Sequence, residues 1–341
     1  MNIKKVSSCF IILVFIMFIF NIESHAAEMK FSVKTVIPEN QIDKNLTYFN
    51  LKMLPGQKQV LQVQLRNDTN KDIVVETYTN TAITNNNGVV DYTMIDPQLD
   101  STLQIPFSEI AKAEKETEIP ANSTITIDIQ INMPKEQFDG IILGGLYFKE
   151  KESTKKDKKS DNLQIENNYA YVVGVVLSET NVAVKPEMKL NEINPTQING
   201  RNVVNANLQN IKPNMIRNLN VDAKVYKEKG KKVLFKTQKK HIKVAPNSNF
   251  NFAVSWDNRE FDPGTYRLEM QATNGNQHWE WIKSFTIDRE EAKELNATAV
   301  EINTDYTIYY WICGILILIL LLIFAFKLGK NSKINTITKD K

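Results

Sequence analysis

Between its two apolar ends the chain has two histidines, His241 and His278, and no cysteine, since Cys9 and Cys313 both lie within the ends. A zinc centre needs three or four Cys, His or carboxylate ligands, and nucleophilic catalysis needs a Ser or Cys beside a base oriented by a third group. Neither constellation can be assembled from neighbouring residues here. Carboxylate pairs suited to glycoside hydrolysis need only meet in space, yet no Asp or Glu stands out from the rest. No catalytic, metal-binding or cofactor-binding residue is therefore assigned, no cofactor is expected, and ligand-binding residues are left unknown.

Other residues suggest binding. Lys224 to Lys243 contains Lys227, Lys229, Lys231, Lys232, Lys236, Lys239, Lys240 and Lys243 against Glu228 alone. Flanking strands at Val221–Tyr226 and Val233–Thr237 make it a hairpin, which either holds an anionic polymer or guards a sheet edge with lysine. Trp279 and Trp281 alternate in phase with Phe285 and Ile287, so they form either a stacking platform or core. Asn85 to Asp91 has the oxygen content of a calcium loop without its repeated carboxylates, and a hairpin turn is the simpler account.

The ends say where these groups are displayed. Lys4 and Lys5, an apolar run from Cys9 to Phe20 and the small-residue stretch Ser24-His25-Ala26-Ala27 make residues 1–27 an expected signal peptide, cut after Ala26 or Ala27. Ile308 to Phe326 is apolar for about 19 residues, enough for one membrane span. Lys327, Lys330, Lys333, Lys339 and Lys341 follow it, whereas Glu301 and Asp305 precede it, which places the tail 327–341 in the cytoplasm and residues 28–307 outside. Tyr306, Tyr309, Tyr310 and Trp311 suit the outer interface. The formal net charge of +3 names no partner.

Between the ends, alternation of period two dominates. Leu61, Val63 and Leu65 share one face, as do Ile125, Ile127, Ile129 and Ile131, and turn residues such as Pro55-Gly56 and Asn85-Asn86-Asn87-Gly88 separate the runs. The pattern predicts an all-β chain: two immunoglobulin-like antiparallel β-sandwich domains in tandem, over 28–183 and 184–288, then a short helix and stalk over 289–307 and a transmembrane helix over 308–326. A short helix is expected at Phe107 to Lys112. The charged stretch 149–161 is read as a loop joining two strands, Ile141–Phe148 and Tyr169–Leu177, which pair and bury each other.

Several motifs, in order, resemble the WxL-interacting proteins of Gram-positive bacteria. In the first half they are Tyr48-Phe49-x-Leu51, Pro55-Gly56-Gln57, Thr84-Asn85, Asn87-Gly88, Asp91-Tyr92, Met133-Pro134, Phe138-Asp139-Gly140 and Gly144-Gly145. In the second half they are Tyr169 to Val175, Asn199-Gly200-Arg201, Leu208-Gln209-Asn210, Ala245-Pro246-Asn247-Ser248 and Pro263-Gly264-x-Tyr266. The resemblance implies a peptidoglycan-binding first domain, a host-binding second domain and partnership with WxL-domain surface proteins. The expected function is a non-enzymatic, membrane-anchored cell-surface adaptor. Its partners would be peptidoglycan, WxL-domain proteins and an anionic wall polymer or host extracellular protein, with no nucleic acid. The alternatives are an envelope enzyme acting on wall polymer, or a structural spacer.

Overall fold

A computed structural model describes residues 29–151, 169–302 and 307–337. The expected signal segment 1–27, most of the charged loop 149–161 and residues 338–341 of the tail lie outside the described residues.

The first domain is two facing sheets. One has the order β1 (Phe31–Val36), β3 (Lys58–Asn67), β9 (Thr124–Asn132), β7 (Ala111–Ala113). The other runs β2 (Phe49–Lys52), β11 (Ala170–Ser178), β10 (Ile142–Glu150), β4 (Ile73–Thr81), β8 (Glu116–Ile119), and β5 (Ile83–Thr84) and β6 (Val90–Asp91) form a separate hairpin. The inward residues are those the alternation selects: Leu61, Val63, Leu65, Ile127, Ile129 and Ile131 are all buried, packed with Phe49, Phe107, Leu146 and Phe148. Beside them β10 carries glycine at Gly144, where a methyl group would lie 2.1 Å from the Phe107 ring. The ring occupies that space.

The second domain pairs a sheet of β12 (Met188–Ile198), β13 (Arg201–Asn210) and β16 (Ser248–Ser255) with one of β15 (Phe235–Val244), β14 (Ile216–Lys227), β17 (Gly264–Thr273) and β18 (His278–Ile287). Its core is aromatic. Trp256 stacks on Phe235 at 4.0 Å between ring centroids and meets Tyr266 edge-on at 5.3 Å, and Tyr266 stacks on Phe285 at 5.6 Å.

Two local expectations need correction. The sheets are not wholly antiparallel, because β2 runs parallel to β11, from Phe49 beside Val175 to Lys52 beside Ser178. The helix expected to Lys112 is one turn, α1 (Phe107–Ile110), since Ala111 is extended and enters the ladder with Ile131. Pairing with β9 outweighs helical preference over so short a stretch. The short helix expected after the second sandwich is α2 (Arg289–Thr298), and Asn202 and Phe261 hold it through Asn296.

The apolar run 308–326 lies in α3 (Thr307–Ile337). Side chains on α3 are described only over 310–325, where all are exposed. Among the described residues no helix is long and apolar enough to cross a membrane.

Candidate binding face at the domain junction

The residues singled out for chemistry do not converge. His241 lies on β15 and His278 on β18, with β14 and β17 between them, so at about 4.8 Å per strand they stand roughly 14 Å apart or more. His278 pairs with Glu280 at 3.0 Å on an exposed edge. No group of three or more His, Cys, Asp or Glu among the described residues could hold a metal ion. Asn85 spends its side-chain oxygen on the backbone N–H groups of Asn87 and Val89 at 3.0 and 3.2 Å, so the would-be calcium loop is a hairpin turn.

The lysines are dispersed. Lys236 pairs with Asp222 at 3.2 Å, and Lys239 lies over the Phe252 ring at 5.5 Å, where burial lowers its pKa. Only Lys229, Lys231 and Lys232 remain together, exposed at the hairpin tip. Trp279 and Trp281 are half-buried against the second core.

What the family-like motifs build is a joint between the domains. The β5–β6 turn reaches into the second domain, where Lys243 N–H donates to the Gly88 carbonyl at 2.9 Å and Asn251 N–H to Asn86 Oδ1 at 2.9 Å. Gly88 has φ +75, and a methyl there would lie 2.9 Å from Ile242. Thr84 and Ser248 exchange hydrogen bonds, Thr84 N–H to Ser248 Oγ at 2.8 Å and Ser248 Oγ to Thr84 Oγ1 at 2.9 Å, and Ala245 N–H donates to Thr84 Oγ1 at 2.9 Å. Ala82, Val90 and Leu143 pack on Ala245 between them.

A second set of contacts centres on Asp100. Gln209 Nε2 donates to both its oxygens at 2.9 and 3.0 Å, Thr102 donates through N–H and Oγ1, and Asn249 adds a further bond. Burial alone would raise the Asp100 pKa, but these donors outweigh it and the net direction is down. Asn247 Nδ2 bridges Thr102 O at 3.0 Å and Ile211 O at 3.1 Å, and Ile141 N–H donates to Pro213 O at 2.8 Å. Beside these contacts is a cleft of about 420 Å³, lined by Leu103, Ile105, Phe138 and Pro213 with Asp139 and Lys212.

The same joint organises an open face. On β10, residues alternate between the core and the outer surface, so Gly145, Tyr147 and Lys149 point outward. Gly145 pairs with Gly174, Tyr147 with Tyr78 and Val172, and Lys149 with Glu76. The two glycines leave a bare patch that tyrosines cover: a methyl on Gly145 would lie 2.7 Å from Tyr92 Cβ, and one on Gly174 would lie 3.9 Å from Tyr48 Cβ. Asn80 Nδ2 holds the Tyr92 carbonyl at 2.8 Å.

The next row carries Tyr147 and Tyr78, with ring centroids 6.1 Å apart, and Val172, which is 40% exposed. Lys149 lies over the Tyr78 ring at 5.5 Å and pairs with Glu76 at 3.0 Å. The Lys149 hydrogen bond lowers the Glu76 pKa, and the same contact raises that of Lys149. Burial raises the pKa of Tyr92 and of Tyr78, so these two stay protonated donors at neutral pH. Arg217 of the second domain acts electrostatically on Tyr92 at the rim. Four half-buried tyrosines with one acid, one amine and one amide offer flat apolar rings beside hydrogen-bonding tips, the equipment for holding a sugar.

Comparison with known proteins agrees with the division into two parts. The family description "WxL Interacting Protein, peptidoglycan binding domain" matches residues 31–150, and "WxL Interacting Protein, host binding domain" matches residues 160–297. The second match begins before β11, although β11 pairs with β10 and β2 in the first sandwich. No curated protein matches the sequence. Among solved structures, the CsuC–CsuE chaperone–tip adhesion subunit pre-assembly complex of Acinetobacter baumannii is similar at 12% identity and TM-score 0.32, over 74% of this chain and 98% of that one. The Salmonella enterica SafA pilin–SafB chaperone complex gives 11% and 0.30, over 75% and 99%. The YadV chaperone gives 9% and 0.30, over 76% and 100%. With both of its domains matched, in order and over most of its length, the chain belongs to the WxL-interacting protein family.

Proposed function

We propose that this protein is a non-enzymatic, membrane-anchored surface adaptor. The first domain, through residue 183, holds peptidoglycan on the tyrosine face, and the second, over 184–288, binds host extracellular protein. WxL-domain surface proteins are its assembly partners. The apolar run 308–326 anchors it, with the two sandwiches in the wall space and the tail in the cytoplasm.

The observation that carries the reading is the paired Tyr78 and Tyr147, half-exposed on a sheet face with the Glu76–Lys149 pair alongside. Sugar rings present apolar faces and hydroxyl edges, and this face presents both complements. Binding is expected to concentrate in such aromatic anchors, each contributing at least about 1.4 kcal/mol, or tenfold. The test is retention of the full chain by insoluble peptidoglycan. Tyr78→Ser with Tyr147→Ser should reduce retention by about a hundredfold while leaving the melting temperature within a few degrees. Unchanged retention would remove the face from the reading, and release of soluble wall fragments by the intact protein would replace the adaptor with an enzyme.

A further inference from the structure

The two ends of the second sandwich differ in what they face. Ile211, Pro213, Ala245 and Asn247 meet the first domain at one end. At the opposite end lie the start of β13 and β17, the end of β16 and β18, and the turn between β14 and β15, since Val225 pairs with Phe235, Val203 with Ser255 and Gly264 with Ile287. The chain leaves for α3 from that end as well. Val300 packs on Gly200 and donates its N–H to the Gly200 carbonyl at 2.8 Å. Ile302 then lines a cleft of about 660 Å³ together with Lys227, Leu234, Arg259 and Tyr266.

Covalent length limits the gap to the helix. From Ile302 to Thr307 there are five residue steps, at most roughly 17 Å when fully extended. The hairpin tip that begins at Lys227 is thus tethered within a short distance of the first turn of α3. Lys227 is fixed, its Nζ donating to Tyr266 Oη at 2.8 Å while lying 4.1 Å from the ring centroid. Beyond it Lys229, Lys231 and Lys232 are exposed, and Val233, beside them, is 41% exposed. Within the hairpin the one acid, Glu228, is engaged by Ser284, whose Oγ donates to it at 3.0 Å; Asp257, Glu260 and Asp262 line the cleft with Lys227 and Arg259, and Glu290, Glu291 and Glu294 lie on α2. From Lys229 to Val233 the tip carries three lysines and no acid.

We propose that the hairpin tip, Lys229, Lys231 and Lys232 with Val233, docks on the anionic headgroups of the bilayer that α3 enters, fixing how the sandwiches lean from the membrane. This rests on the anchoring reading above. A basic loop with one apolar residue, held at the membrane-proximal end, matches a negatively charged surface. Each lysine near such a surface adds about fivefold to the contact equilibrium, so three contribute on the order of 100-fold.

The test uses the full chain with Cys9 and Cys313 replaced by Ser, reconstituted in vesicles of phosphatidylglycerol and phosphatidylcholine containing headgroup spin-labelled lipid. A fluorophore is placed at Val233→Cys, or at Asn276→Cys, in the β17–β18 turn at the domain-joint end, as control. Quenching at 233 should exceed that at 276 several-fold. It should fall to the control level in pure phosphatidylcholine and in K229Q/K231Q/K232Q, whose melting temperature should match the parent. Equal quenching at both positions, or quenching at 233 that ignores the lysines, overturns the proposal. Loss of quenching on adding soluble polyphosphate at equal phosphate assigns the tip to wall polyanion and overturns it too. Extraction of the chain by alkali would sink the anchoring reading instead, while lysine-dependent quenching at neutral pH in the same sample still decides the contact.

Discussion

Gly140→Ala tests whether the domains are held as one body. Gly140 has φ +96 and sits where a methyl would lie 2.2 Å from the Pro213 carbonyl oxygen, a backbone atom of the other domain. That is roughly 1 Å closer than such atoms tolerate, so the joint must part or the loop must shift. Overpacking of this kind costs about 1–3 kcal/mol, and the left-handed backbone adds about 1–2 kcal/mol for an L-residue. The neighbouring Ile141 N–H to Pro213 O bond, 2.8 Å long, would be lost for about 1 kcal/mol more. The total is roughly 3–6 kcal/mol, which for a chain of this size lowers the melting temperature by on the order of 5–11 °C. Amide hydrogen exchange gives the sharper assay. The Ile141 amide should lose protection, and so should that of Lys243, which bonds Gly88 across the same joint. A shift below about 2 °C with both amides still protected would refute the claim that this contact locks the domains.

Asp100→Ala should leave Gln209 and Asn249 without their acceptor and cost about 2–4 kcal/mol, read by denaturant titration of the full chain. Because the Asp100 pKa is lowered in the folded state, its contribution is present above the unfolded carboxylate pKa and lost as pH falls through the folded one. The acid limb of stability should therefore be shallower in Asp100→Asn. Asn210→Ala removes donors to Asn214 O at 2.7 Å and Ala245 O at 2.9 Å from a fully buried site, and should cost about 2–3 kcal/mol by the same titration. Asn296→Ala should release α2 from Asn202 and Phe261, seen as faster proteolysis within 289–298 and no change in the first domain.

Much of the fold is written locally. In β9, Thr-Ile-Thr-Ile-Asp-Ile-Gln-Ile states its own face, and Ile129 and Ile131 are indeed fully buried. β7 was not legible, because three residues carry no period and Ala111 becomes strand only by pairing with Ile131. The tyrosine face was hidden for a related reason. Tyr48, Tyr92, Gly145 and Gly174 read separately as turn and core residues, and only the β10–β11 register sets the two glycines side by side, Gly145 beneath the Tyr92 ring and Gly174 beside the Tyr48 Cβ. Glycine on adjacent strands within an otherwise apolar run was the available signal. The lysine run kept its hairpin and cationic tip, but contiguity in sequence did not show that Lys236 would enter an ion pair and Lys239 a ring contact.

The placement of β12 and β18 has a mechanical consequence. The first domain enters the second sandwich at Met188, beside Asn210 at the joint, whereas the chain leaves at Ile287, beside Gly264 at the far end. Tension between a ligand on the first domain and the C-terminal helix thus runs along the strands. Because ladder hydrogen bonds lie across the strands, β12 slides against β13 and β18 against β17 only if many bonds fail together. Loaded in shear instead of being unzipped, the second sandwich resists extension as a stiff link, so under the proposed anchoring the lifetime of an attachment under flow would fall to the ligand contact.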